Sequence, residues 1–278
     1  MTFSESLHRN RYELVLALLL VSGLFGTIVA EMAADWYHDD NYSHGFLVPL
    51  IAGYFLRERW SDLRTAKVAP SGIGIAVIAC ALLQLIIASL GNEYFTARSS
   101  LIVLIAGMVL YFFGADIFRI TRMPLLYLLF MVPLPYIVYN ALALPMKMFV
   151  SWVSVGFLKT IGLSVVREGN IIMFPSITLE VADACSGMRS LVSILALSTA
   201  YAFFLQISHV KRWVIIVSSI LIAIATNALR VIITGILANY QGAAAAQGFF
   251  HEFAGMAVFT LAMAMLAGLG LLLREKTP

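Results

Sequence analysis

The chain has 278 residues, 61% of them hydrophobic and 12% charged, with a formal net charge of +3. A soluble domain carries roughly twice that charged share, and a nucleic-acid-binding chain or a disordered tail carries more still. The apolar residues fall in continuous runs about as long as the hydrocarbon core of a bilayer, too long for barrel strands, so the pattern predicts an all-α polytopic membrane protein.

Eight spans are predicted. The first covers residues 14–30. It is longer than the apolar part of a cleavable signal, and Glu31 follows it where small residues would mark cleavage. A polar stretch over 31–43 leads to a second helix over 44–60, which starts at His44-Gly45 and contains Pro49. The third and fourth cover 72–90 and 99–113. The fifth covers 124–144 and contains Pro133 and Pro135, which should kink it and leave carbonyls for neighbours to satisfy.

Residues 146–163 are apolar but interrupted by Lys147 and Lys159, which suits an interfacial amphipathic helix better than a span. From Val165 to Glu180 the chain reads as small β-hairpins, with turns at Glu168-Gly169-Asn170 and Pro175-Ser176. The last three spans cover 186–206, 213–240 and 251–273.

Basic residues orient this arrangement. With a cytoplasmic N-terminus, 12 of the 18 lysines and arginines lie on the cytoplasmic side. Only Arg98, Lys147, Lys159 and Arg167 lie on the other, while Arg189 and Arg230 fall within helices. Both termini are then cytoplasmic, and the hairpins face outward.

In that frame Cys185, His251 and His44 lie at the outer ends of three helices, and Arg230 lies in the outer part of a fourth. Each has a plainer reading. Cys80, inside an apolar run and at another depth than Cys185, reads as a packing residue, and a disulfide between the two is not expected. Asp183 or Ser186 would cap a helix start, and Gly187 would let helices pack closely. Arg189 is near enough to the interface to snorkel. His251 and His44 would cap helices.

Arg230 is harder to explain as structure, because an intramembrane arginine costs at least about 2.5–3.5 kcal/mol on insertion scales. Asn227 lies on the same helical face. Cys185, by contrast, sits among polar and cationic neighbours at a helix N-terminus, where a thiol pKa falls. A thiol and an imidazole form a nucleophile–base pair, and a guanidinium stabilises an oxyanion, which together point to acyl transfer.

Three motifs at these residues resemble the exosortase/archaeosortase family: Ala184-Cys185-Ser186-Gly187, Asn227-Ala228-Leu229-Arg230 and His251-Glu252-Phe253-Ala254-Gly255. Tyr42-Ser43-His44-Gly45 with Pro49 resembles its N-terminal signature. The resemblance runs from about Trp36 to Leu273. It implies a cysteine transpeptidase or endopeptidase of the bacterial inner membrane. Cys185 would be the nucleophile, Arg230 the transition-state stabiliser and His251 the general acid/base, and a histidine in the third position is the exosortase pattern.

The implied substrates are membrane-anchored exported proteins with a C-terminal sorting tail: a Pro-Glu-Pro-like motif, a transmembrane helix and a basic cluster. Such systems often accompany exopolysaccharide genes. Some exosortases carry a further C-terminal domain, whereas residues 1–278 read as one exosortase-type domain. Arg189, one turn after Cys185, would meet a substrate carboxylate. Asn227, His44, Asp183 and Ser186 would support the site.

No metal-ligand spacing or nucleotide motif is present, so no cofactor is expected, and the partners are the bilayer and the protein substrate rather than nucleic acid. The competing readings are a transporter, a serine protease using Ser186, and a non-catalytic assembly factor of polysaccharide export.

Overall fold

The computed structural model describes residues 3–175, 177–181, 188–205, 207–242 and 249–274, with the side chains of 188–189 and 249–252 outside that description. The chain packs as two units, residues 1–135 and 136–278.

The first unit contains α1 (Phe3–Arg9), α2 (Arg11–His38), a 3-10 helix (Asp40–Phe46), α3 (Leu47–Glu58), α4 (Trp60–Thr65), α5 (Ile73–Leu90), α6 (Tyr94–Phe112), α7 (Ala115–Tyr127) and a second 3-10 turn (Leu128–Met131). α2 runs past the expected Ala30 to His38, so Asp35 and Trp36 are helical rather than part of a polar loop. Its 28 residues measure about 42 Å and set the length of the unit.

At one end of this unit the Phe3 ring lies 6.1 Å from Trp60 and 5.0 Å from Phe113. Around them cluster Leu63, Val68, Ile117 and Leu14. At the other end Trp36 Nε1 donates to Met131 O at 2.8 Å, Arg98 pairs with Asp35 at 2.7 Å, and the rings of Trp36 and Phe46 stand 5.2 Å apart. Between these ends the chain passes five times: along α2, back through the first 3-10 helix and α3, out along α5, back along α6, and out along α7 and the second 3-10 turn. α5 and α6 form a close hairpin, because Gly74 admits the Tyr111 backbone and Gly107 admits Ile78.

Two of these passes are composite. α3 has only 12 residues, about 18 Å of α-helix, and the seven-residue 3-10 helix before it adds about 14 Å. α7 has 13 residues and gains its last turn from Leu128–Met131. Six described helices are long and apolar enough to cross a bilayer: α2, α5, α6, α8, α10 and part of α11, the last three belonging to the second unit. The polytopic helical architecture is therefore as expected, but the count of eight single-helix spans is not.

The clearest departure is the fifth predicted span. The chain leaves the helix at Val132, which is extended (φ −87°, ψ 118°), and a new helix begins at Tyr136. Pro133 and Pro135 remove two N–H donors within three residues and push their predecessors out of the α region, so they break the helix instead of kinking it. The carbonyls freed before the break are used as anticipated: Met131 O accepts from Trp36, and Phe130 O lies 3.2 Å from His44 Nε2.

In the second unit α8 (Tyr136–Thr160) is one helix of 25 residues that includes Pro145 and both lysines. By length and composition it is a candidate span, which corrects the shorter interfacial helix expected over 146–163. Strands β1 (Val166–Glu168), β2 (Ile171–Met173) and β3 (Thr178–Glu180) follow as an antiparallel sheet in the order β1-β2-β3. The expected turn at Glu168-Gly169-Asn170 is present, where Gly169 takes the left-handed conformation (φ +63°) that the tight β1–β2 connection needs, while the expected Pro175-Ser176 turn includes Ser176, which lies outside the described residues.

Helices α9 (Met188–Phe204), α10 (His209–Gln241) and α11 (Phe249–Leu273) complete the unit. They pack around Ile194, Ile215, Ile222, Ala262 and Leu266. Ser198 and Ser219, both fully buried, join α9 to α10 through a 3.0 Å hydroxyl contact. Arg212 donates to Ala202 O and Ile207 O, closing the α9–α10 connection where carbonyls at a helix end lack partners.

Candidate active site

Arg230 stands on α10, half-buried. Its guanidinium lies against Gly255 of α11: a Cβ placed at Gly255 would stand 3.4 Å from one terminal nitrogen and 3.5 Å from Cζ. Glycine at this point leaves room for a planar, multi-donor cation between two helices. Gly255 is four residues after His251, and both belong to α11. The Arg230 side chain therefore reaches the turn of α11 that follows His251.

Asn227, one turn before Arg230, is 2% exposed. Its neighbour Ala228 offers a carbonyl to Ser154 of α8 at 3.4 Å. The buried small residues Ser151, Ser154, Thr226 and Ala228 let α8 and α10 approach closely here. The β-sheet docks on the same part of α10. Ile172, Phe174 and Val181 share an apolar cluster with Leu158 of α8 and with Ala228, Val231 and Ile232 of α10. Gly235 of α10 makes the fit possible, since a Cβ there would stand 3.1 Å from Phe174 and 3.3 Å from Leu158.

Cys185, Asp183 and Ser186 lie outside the described residues. The nearest described residues on either side are Val181, buried in that cluster, and Met188, which begins α9. Arg189 follows in the first turn of α9, and its side chain, like that of His251, is outside the description. Of the expected site residues, the described structure places Asn227 and Arg230 one turn apart on α10, with the Arg230 guanidinium beside Gly255 of α11.

His44 belongs to the first unit, in the 3-10 helix before α3. Its Nε2 lies 3.2 Å from Phe130 O, so in the neutral ring this nitrogen carries the proton and donates. The capping reading is corrected, because α3 is preceded by Phe46 with no side-chain cap. Gly45 beside His44 is the only residue type that fits, because a Cβ there would overlap the Trp36 indole. The motif around His44 therefore locks Trp36 and the second 3-10 turn together.

Three features escaped the sequence. Arg98 was expected in an outer loop, but it lies in the first turns of α6, 6% exposed and paired with Asp35. The signal was available only with the true end of α2, which places Asp35 on a helix. The roles of Gly235 and Gly255 were hidden because a glycine in an apolar helix marks close approach without naming the partner. Cys80 lies on the exposed face of α5 as a free thiol, not in the packing where it was expected. Among the described residues no group of three His, Cys, Asp or Glu side chains could hold a metal ion.

The fold and this cluster define a polytopic helical membrane protein with an arginine held between two helices beside a small extramembranous-type sheet. Residues 36–268 match the family model described as transmembrane exosortase (Exosortase_EpsH), and the chain belongs to that family. No curated protein and no solved structure shows a significant match.

Proposed function

We propose that this chain is a membrane-embedded cysteine endopeptidase or transpeptidase that cleaves the C-terminal sorting tail of exported proteins. In this reading the Cys185 thiolate attacks the carbonyl carbon of the scissile peptide bond. His251 takes the thiol proton and returns it to the departing amine, and the Arg230 guanidinium donates hydrogen bonds to the developing oxyanion. The resulting thioester is resolved by water or by an amine acceptor, which restores the thiol. Asn227 supports Arg230, Arg189 meets a substrate carboxylate, and Asp183 and Ser186 shape the helix start beside the thiol.

The observation that carries this reading is the contact of the Arg230 guanidinium with Gly255, one turn beyond His251, in a chain of the exosortase family. A rigid fork of donors suits a developing oxyanion better than a lysine would. The first unit supports a cytoplasmic N-terminus: Arg57, Arg59, Arg64, Lys67 and Arg119 lie on the segments around the Phe3 end. With the hairpins on the outer side of the charge-based topology, the sheet and the site would face the periplasm from the inner membrane, and both packing units would serve one exosortase domain.

The test uses a tagged sorting-tail protein co-expressed with the full chain, with cleavage read by the size of the tagged product. Wild type and Ser186→Ala should release the tail, and Cys185→Ala should not. Cleavage that survives Cys185→Ala overturns the thiol mechanism. Loss in Ser186→Ala alone moves the nucleophile to serine, and no cleavage by wild type returns the chain to the transporter or assembly readings.

A further inference from the structure

The sheet has two edges, and they differ. Between β2 and β3, Val181 N–H donates to Asn170 O at 2.9 Å and Phe174 N–H to Ile177 O at 2.8 Å. Directly bonded pairs alternate along an antiparallel ladder, so the pair between these two is Ile172 with Leu179. It follows that Thr178 and Glu180 turn their N–H and C=O groups away from β2. Both residues are exposed, and no described backbone group bonds to them from that side. On the opposite edge the same alternation leaves only Arg167 of β1 facing outward, and its guanidinium folds back onto Gly169 O at 2.8 Å.

Natural sheets guard exposed edges with charge, bulges or cover, because a free edge is a template for another strand. Among the described residues no backbone group pairs with the β3 edge, where Glu180 is the one charge, and the strand is held at both ends. Phe174 and Val181, on either side of β3, are buried in the cluster shared with α10. Phe174 sits over Gly235, five residues and about 7.5 Å of helix beyond Arg230. Glu180 is five residues before Cys185, within about 18 Å of extended chain.

We infer that the free edge of β3 pairs with an extended segment of the protein substrate beside the scissile bond, through the backbone groups of Thr178 and Glu180. The inference rests on the cleavage reading above and names how the substrate is held. The occupant is an extended polypeptide because donors and acceptors repeating at every second residue match only another strand. A scissile carbonyl open to a thiolate must likewise lie outside helix. Recognition through backbone groups adds affinity with little demand on side chains, so one edge serves many substrates.

Proline tests the edge without breaking the sheet. Thr178→Pro and Glu180→Pro each delete an N–H that points away from β2, in a strand where the φ of proline is tolerated. Each should lower kcat/KM for tail cleavage roughly tenfold, about the loss of one or two hydrogen bonds. Thermal stability in detergent and the rate of Cys185 alkylation should stay at the wild-type values, which separates a lost edge from a lost fold. Cleavage at the wild-type rate in both variants overturns the inference while leaving the protease reading intact.

A second measurement needs no catalysis. Thr178→Cys is placed in a chain that also carries Cys80→Ser and Cys185→Ala, and single cysteines are stepped along the substrate segment before its transmembrane helix. Disulfides should form at every second position, the period of a paired strand. Even crosslinking along the segment, or none, overturns the pairing whether or not the wild type cleaves.

Discussion

The two units of this chain set an arginine into a helix in different company. The first places Arg98 among paired polar groups. Trp36 and His44 reach the carbonyls that end the second 3-10 turn, Arg98 finds Asp35, and Gln84 of α5 bonds both Thr96 O and Ser99 Oγ of α6 at 3.0 Å. The second pairs polar groups too, Ser198 with Ser219 and Arg212 with Ala202 O, but its Arg230 stands against a glycine. Gly255 leaves a gap for the Arg230 guanidinium, and Gly235 leaves one for Phe174. A carboxylate holds a buried cation by charge, whereas a glycine lets a cation come close to a neighbouring helix.

The largest expected effect comes from closing the gap. Gly255→Val should push the Arg230 guanidinium off α11 and lower kcat for tail cleavage by roughly a hundredfold, in line with the loss of one oxyanion donor. Gly255→Ala, whose Cβ would make ordinary contact at 3.4 Å, should lose far less. Equal losses in the two variants would show that the space does not position the arginine. Cys185 alkylation measured alongside separates a displaced guanidinium from a collapsed site.

In the first unit the matching experiment is Asp35→Asn. It leaves Arg98, 6% exposed, without its carboxylate, whereas Asp35 itself is half-exposed and partly screened. The cost should be on the order of 2 kcal/mol, between the values for exposed and buried pairs. It should appear as a lower unfolding temperature in detergent. A temperature unchanged within error would mean that the pair contributes nothing to holding α2 against α6.

The smallest effect concerns His44. His44→Gln should keep a donor for Phe130 O and leave the unfolding temperature in detergent near the wild-type value, whereas His44→Leu should lower it in line with the loss of one hydrogen bond, about 1 kcal/mol. Equal temperatures in the two variants would show that this contact contributes nothing to holding the two 3-10 segments together.

Much of the architecture was legible because membrane helices announce themselves by length and apolar composition. α5 came within one residue of its expected start, and α10 and α11 lay where expected, since each is a single uninterrupted run. The sheet was legible for a different reason: short stretches carrying Val165-Val166, Ile171-Ile172 and Ile177-Thr178, set apart by Glu168-Gly169-Asn170 and by Pro175-Ser176, leave the backbone few other choices. Breaks were harder. Val132–Pro135 interrupts an apolar run that hydropathy reads as continuous, and α3 is completed by a 3-10 helix whose residues, Asp40–Phe46, look like loop.

By itself the sequence determined that this is a helical membrane protein and which reactive residue types it holds, because solvent matching and side-chain reactivity are local properties. Only the tertiary structure decided that Pro133 and Pro135 end a helix whose freed carbonyls Trp36 and His44 take up. It also decided that Arg98 finds Asp35 63 residues away and that Arg230 rests on Gly255. Those outcomes depend on which helix faces which, and contacts between distant residues are set by packing that no single stretch of chain contains.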